Sequence, residues 1–128
     1  MWNVFLPMKL YQWRKNKKYV HQFLKKLFTE HDEFAQHYLA KVFLDFDMDF
    51  SPIPLIKKEE AKKITTPMHI IGADNDLLFP GKKMLKRANE IFPSLYEGKL
   101  LKNSKHVPRH IDNHEISKLI FDASHNNL

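Results

Sequence analysis

The chain has 128 residues, 43% of them hydrophobic, with ten Phe, three Gly and no Cys. That length fits one small domain or a piece of a larger one, and the apolar content suffices to bury a core, which excludes a disordered chain. Without Cys there is no disulfide framework, no thiolate chemistry and no Cys-based zinc site. The net charge of +6 would suit nucleic acid or an anionic membrane, but the Lys residues are spread along the whole chain, as on solvated helix faces.

No apolar run approaches the roughly 18 residues needed to span a bilayer. Met1–Leu10 contains Pro7 and no small-residue cleavage site, so it does not read as a signal peptide. These features fit a cytoplasmic chain.

Residues 1–18 are apolar and then basic, without a clean period, and read as a leading segment. Tyr19, Val20, Phe23, Leu24, Leu27 and Phe28 then form one apolar stripe, which predicts a helix over 19–28. Thr29 followed by Asp32 reads as a capping box with Asp in place of Glu. A second helix is expected over 32–45, its stripe being Phe34, Ala35, Tyr38, Leu39, Val42 and Phe43. Two amphipathic helices with a short joint make a helical hairpin. The basic aromatic stretch Trp13 to Lys26 could meet phosphates, but it reads better as a solvated helix face over a buried stripe.

Asp45, Asp47 and Asp49 open like a calcium loop, but Phe50 stands where such a loop needs Gly and Ile56 where it needs Glu. A helix end running into a linker is the better reading. Ser51-Pro52-Ile53-Pro54 forces an extended path, and Lys57 to Lys63 could form a short helix.

From Ile64 the pattern changes. Met68-His69-Ile70-Ile71, bounded by Pro67 and Gly72, predicts a short buried strand. Gly81 opens a helix whose buried stripe is Met84, Leu85, Ala88, Ile91 and Phe92. Gly98 to Leu101 makes a second strand, and His106 sits in the loop after it. Asp112 or Asn113 can cap a last helix with Ile116, Leu119, Ile120 and Ala123 toward the core. Strand–helix alternation implies a parallel sheet. Two strands are too few for a stable open sheet, so missing chain, a partner or self-association is expected to complete it.

Two loops carry candidate chemistry. One is Gly72 to Pro80, beyond the first strand, and the other is Ser104-Lys105-His106-Val107-Pro108, beyond the second. Functional groups collect beyond the carboxyl ends of strands in open α/β sheets. An Asp there can accept the Nδ1 proton of a His and leave the other ring nitrogen as general base. His106, His110 and His114 are spaced by four, but Pro108 breaks a continuous helix, so a metal site is not expected. His69 reads as a satisfied histidine within the sheet.

From Ile64 to about Ala123 the chain resembles the C-terminal end of α/β-hydrolases of the serine aminopeptidase and lipase-like kind. The residues that carry the resemblance are Thr66-Pro67 before the strand, Gly72 at its end, Asp76 four residues before Pro80, and His106 after the last strand. The order acid then histidine agrees with that family. The resemblance implies an α/β fold in two parts: residues 1–60 as helical cap and linker, and residues 61–128 as two parallel core strands with their helices. It implies Asp76 and His106 as catalytic residues, with Asp74 as the lesser candidate for the acid, and no cofactor. The substrate of the whole enzyme would be a small ester or amide, with no nucleic acid involved.

The chain departs from that family at three points. Asp76 lies four residues after Gly72 rather than three, and Lys105 stands where Gly is common. None of the five Ser (51, 94, 104, 117 and 124) sits in Gly-x-Ser-x-Gly. Without a nucleophile and oxyanion donors the chain is expected to be inactive alone, as a truncated or split product would be. The alternative is a small basic interaction or nucleic-acid-binding module derived from the fold.

Overall fold

In the computed structural model, residues 9–10, 16–47, 49, 51 and 54–125 are described. Most of the leading segment, Trp13 of the basic aromatic stretch, and Met48, Phe50, Pro52 and Ile53 lie outside the described residues.

The chain is mixed α/β. Five helices and two parallel strands run in the order α1 (Lys17–Leu27), α2 (Glu33–Asp45), α3 (Lys58–Ala61), β1 (Met68–Ala73), α4 (Gly81–Ile91), β2 (Leu95–Leu101) and α5 (His110–His125), counted among the described residues. No described helix is long and apolar enough to cross a membrane.

The helical hairpin forms as the periodicity requires. Asn16 caps α1, its side chain accepting from the Lys18 N–H. Val20, Phe23, Leu24, Leu27 and Phe28 are buried together with Ala40 of α2. Phe43 meets Phe23 edge-on, with ring centroids 5.8 Å apart. Two expectations fail here. The cap of α2 is Asp32, whose carboxylate accepts from the Ala35 N–H at 2.8 Å, and Thr29 is used elsewhere. The α2 stripe is borne out only in part: Ala35, Leu39 and Phe43 pack against the hairpin core. Phe34 is 83% and Tyr38 61% exposed, while Gln36 and Ala40 are buried. The face toward α1 follows the small side chain of Ala40, which permits close helix approach.

Both strands are longer than their apolar runs suggest. β1 continues through Gly72 to Ala73, and β2 begins at Leu95 instead of Gly98. Gly72 does not end its strand but lets α4 approach it. A Cβ on Gly72 would lie 2.9 Å from the Gly81 Cα, and one on Gly81 would lie 2.5 Å from the Ala73 carbonyl oxygen. The two glycines thus form the crossing point of helix and strand. β1 carries only His69 among polar side chains, whereas β2 carries Glu97 and Lys99.

The last helix departs most from expectation. Asp112 is the only buried residue of α5, and Ile111, Ile120 and Phe121 are exposed. Ile116, Leu119 and Ala123 are half-buried. The expected inward face meets too little sheet, because the two strands offer no further surface to cover. Lys99 pairs with Glu115 at 2.7 Å and holds α5 over one face of β2.

Replacing Gly81 by Ala forces the new methyl into the β1 backbone. We expect Gly81→Ala to cost about 1–3 kcal/mol, measured as a drop in the urea midpoint at constant slope. Unchanged stability would show that helix and strand are not in this contact.

Candidate active site

Beyond Ala73 and Leu101 the two chains leave the sheet side by side. The Asp74 N–H donates to the Leu101 carbonyl at 3.1 Å and the Asn75 N–H to the Ser104 carbonyl at 3.0 Å. The ladder therefore persists into the loops and brings the acid loop and the histidine loop together. Asn103 turns the second loop with a φ of 56°, a left-handed conformation that Asn tolerates better than most residues.

At this junction His106 Nδ1 lies 2.9 Å from Asp76 Oδ2. The other carboxylate oxygen, Oδ1, accepts from the backbone N–H of Leu78 at 2.8 Å and of Phe79 at 3.0 Å. The Asp76 side chain is 9% exposed and that of His106 35%. The carboxylate is thus fixed by its own loop and points its free oxygen at the ring. The Phe79 ring lies beside the imidazole, 5.7 Å between centroids. Both residues line a cleft of about 340 Å³ with Ile71, Leu101 and Ile116 on its walls.

Asp74, the second candidate acid, does not meet the histidine. Its Oδ1 accepts from the Ser104 N–H at 3.2 Å and braces the loop. His110 and His114 lie on α5, and His106 lies in the loop before it. His69, expected with its ring nitrogens satisfied, has no hydrogen-bond partner on either. The Glu97 carboxylate lies 3.4 Å from its Nδ1. No serine lines the cleft. Ser104, two residues before His106, is fully buried, and its hydroxyl donates to Asp112.

Three clamps, built from residues whose local sequence suggests other roles or none, set the histidine loop. Thr29 Oγ1 accepts from the Lys105 N–H at 2.7 Å and donates to the Val107 carbonyl at 2.7 Å, and so grips both neighbours of His106. Phe28 and Val107 form a parallel bridge, closed by Thr29 N–H to Val107 O at 3.0 Å and Val107 N–H to Leu27 O at 2.9 Å. Arg109 and Asp112 form the third clamp. The Arg109 guanidinium donates twice to Asp112, and the Arg109 backbone N–H donates to the same carboxylate. Asp112 caps α5 from inside its first turn, not from the position before it. An i,i+3 Arg–Asp pair was visible in the sequence. The contacts of Thr29 span more than 70 residues and left no local signal.

The Arg109 guanidinium holds the Asp112 carboxyl down at about 2, against the desolvation that would raise it. The folded value lies below the unfolded one of about 3.9. The stabilisation is therefore present above about pH 4 and is lost as pH falls toward 2.

The chain matches no described protein family, no curated protein and no solved structure.

Two outcomes test this loop architecture. Between pH 4 and 2 the thermal midpoint should fall further in the native chain than in Asp112→Asn. The difference corresponds to about 1–2 kcal/mol, since Arg109 is partly exposed and screened, and parallel curves would exclude the clamp. Thr29→Val should cost about 1–3 kcal/mol in urea unfolding, and Thr29→Ser should recover most of it. A Thr29→Val variant as stable as the native chain would show that the hydroxyl contacts contribute nothing.

Proposed function

We propose that this chain is the C-terminal portion of an α/β-hydrolase that cleaves an ester or amide by Ser-His-Asp chemistry, carrying the acid and the histidine. The carrying observation is the 2.9 Å contact between His106 Nδ1 and Asp76 Oδ2 at the carboxyl ends of two parallel strands. Chain order, strand-end position and the Asp76–Pro80 spacing support the same reading.

In this reading the Asp76 carboxylate accepts a hydrogen bond from Nδ1–H and fixes the tautomer that leaves Nε2 unprotonated. Nε2 then removes the proton of a serine hydroxyl as that oxygen attacks the carbonyl carbon. The imidazolium formed is stabilised by the Asp76 carboxylate and returns its proton to the leaving group. Water attacks the acyl-serine by the same route and releases the acid. The cleft beside Phe79 is walled by Ile71, Leu101 and Ile116, which suits an apolar substituent near the reacting carbonyl. The serine and the oxyanion donors come from polypeptide outside this sequence, in which no Gly-x-Ser-x-Gly occurs. The residues 1–60 supply the helical cap of the enzyme, and Thr29, just past α1, holds the backbone on both sides of His106. No cofactor takes part.

The reading makes a spectroscopic prediction. In the native chain at neutral pH, imidazole ¹⁵N correlations should report His106 as the Nδ1–H tautomer. Asp76→Asn should redistribute it toward Nε2–H, because the amide can present an N–H to Nδ1. A native His106 already in the Nε2–H form would remove the acid–histidine pair from the mechanism. Hydrolysis of p-nitrophenyl esters by the chain alone should not exceed that of Asp76→Asn. Genomic sequence preceding the Met1 codon should encode Gly-x-Ser-x-Gly after a strand-like run in one of three frames, and its absence from all three would sink the reading of a severed enzyme.

A further inference from the structure

A second cleft lies on the other side of Phe79, between α4, the β1 residue Ile70 and the chain at Leu55. Its volume is about 560 Å³, within the range of roughly 300–1,000 Å³ that small-molecule sites occupy. Ile70, Met84 and Ile91 form its floor, and Leu55, 78% exposed, stands at its lip. Among the described residues, its polar side-chain lining is two cations, Lys83 and Arg87, one turn apart on α4. Among the described residues neither has a carboxylate partner, and Arg87 spends one donor on the Ile56 carbonyl at 2.9 Å.

An apolar trough with two unneutralised cations on one rim has the complementarity of an amphiphile. An apolar chain removes the Leu55 and Met84 surfaces from water, and an anionic head meets Lys83 and the remaining donors of Arg87. A neutral ligand would leave the rim without a partner, and a compact anion would leave the trough empty. We propose that this cleft binds a long-chain carboxylate. The proposal does not rest on the hydrolytic reading, since none of its polar contacts involves Asp76 or His106.

Laurate, caprate and 1-dodecanol, each below its aggregation concentration, are titrated into the full chain and followed by calorimetry. Laurate should bind stoichiometrically and about four- to sixteenfold tighter than caprate, given roughly two- to fourfold for each of the two extra methylenes. Lys83→Gln should weaken laurate about three- to fivefold, as expected of an exposed charge pair, and the loss should shrink in high salt. Leu55→Asp, at an exposed position outside the core, should weaken it tenfold or more by setting an anion in the trough. No binding of laurate overturns the proposal. So does dodecanol binding as tightly as laurate, or laurate affinity unchanged in both variants. Binding seen only with anionic phospholipid vesicles also overturns it, in favour of a membrane-facing surface.

Discussion

The structure depends most on the docking of one loop onto one helix end. Leu27, Phe28 and Thr29 terminate α1, and Val107 lies against them in a short parallel bridge. Val107 and Leu78 pack on the hairpin core that contains Phe28. One comes from the histidine loop and the other from the acid loop. The hydrophobic cluster of the helical half is therefore the surface on which both candidate loops are set. Without it, the histidine loop would be held only by its contacts with the acid loop and with the first turn of α5. The helical residues do more than cover the site, because their hydroxyl and carbonyl groups fix the backbone on both sides of His106.

Asp76 shows how one carboxylate meets two demands. Taken alone, an Asp before a Gly-led helix is a loop-capping residue, and Oδ1 behaves as one by accepting from Leu78 and Phe79. Oδ2 is left for the imidazole. The capping contacts restrain the side chain, so little rotamer freedom remains to be lost in meeting the ring. Asp74 stands two residues earlier and has an equal carboxylate, yet it is spent on the Ser104 N–H. Position along the turn, not residue type, separates the two.

The parts legible in the sequence are those with local causes. The α1 stripe, the Pro-bounded strand and the Gly81 helix all follow from spacing within a few residues. What escaped has non-local causes. Thr29 looked like a helix cap because its neighbours fit that pattern, and only a loop far along the chain redirects it. On α2, Phe34 and Tyr38 carry much of the hydrophobicity, yet Gln36 and Ala40 are the residues buried. Gly72 looked like a strand terminus, but its missing side chain serves the helix that crosses above it. Periodicity points one face of α5 inward, but it cannot say how much sheet there is to face.

The two strands differ in one further respect. β1 is apolar along its free edge except for His69, while β2 places Glu97 and Lys99 along its own length. Charged side chains discourage a strand from accepting a neighbour, and a bare apolar edge does not. Growth of the sheet is therefore directional: one border can be extended and the other resists it.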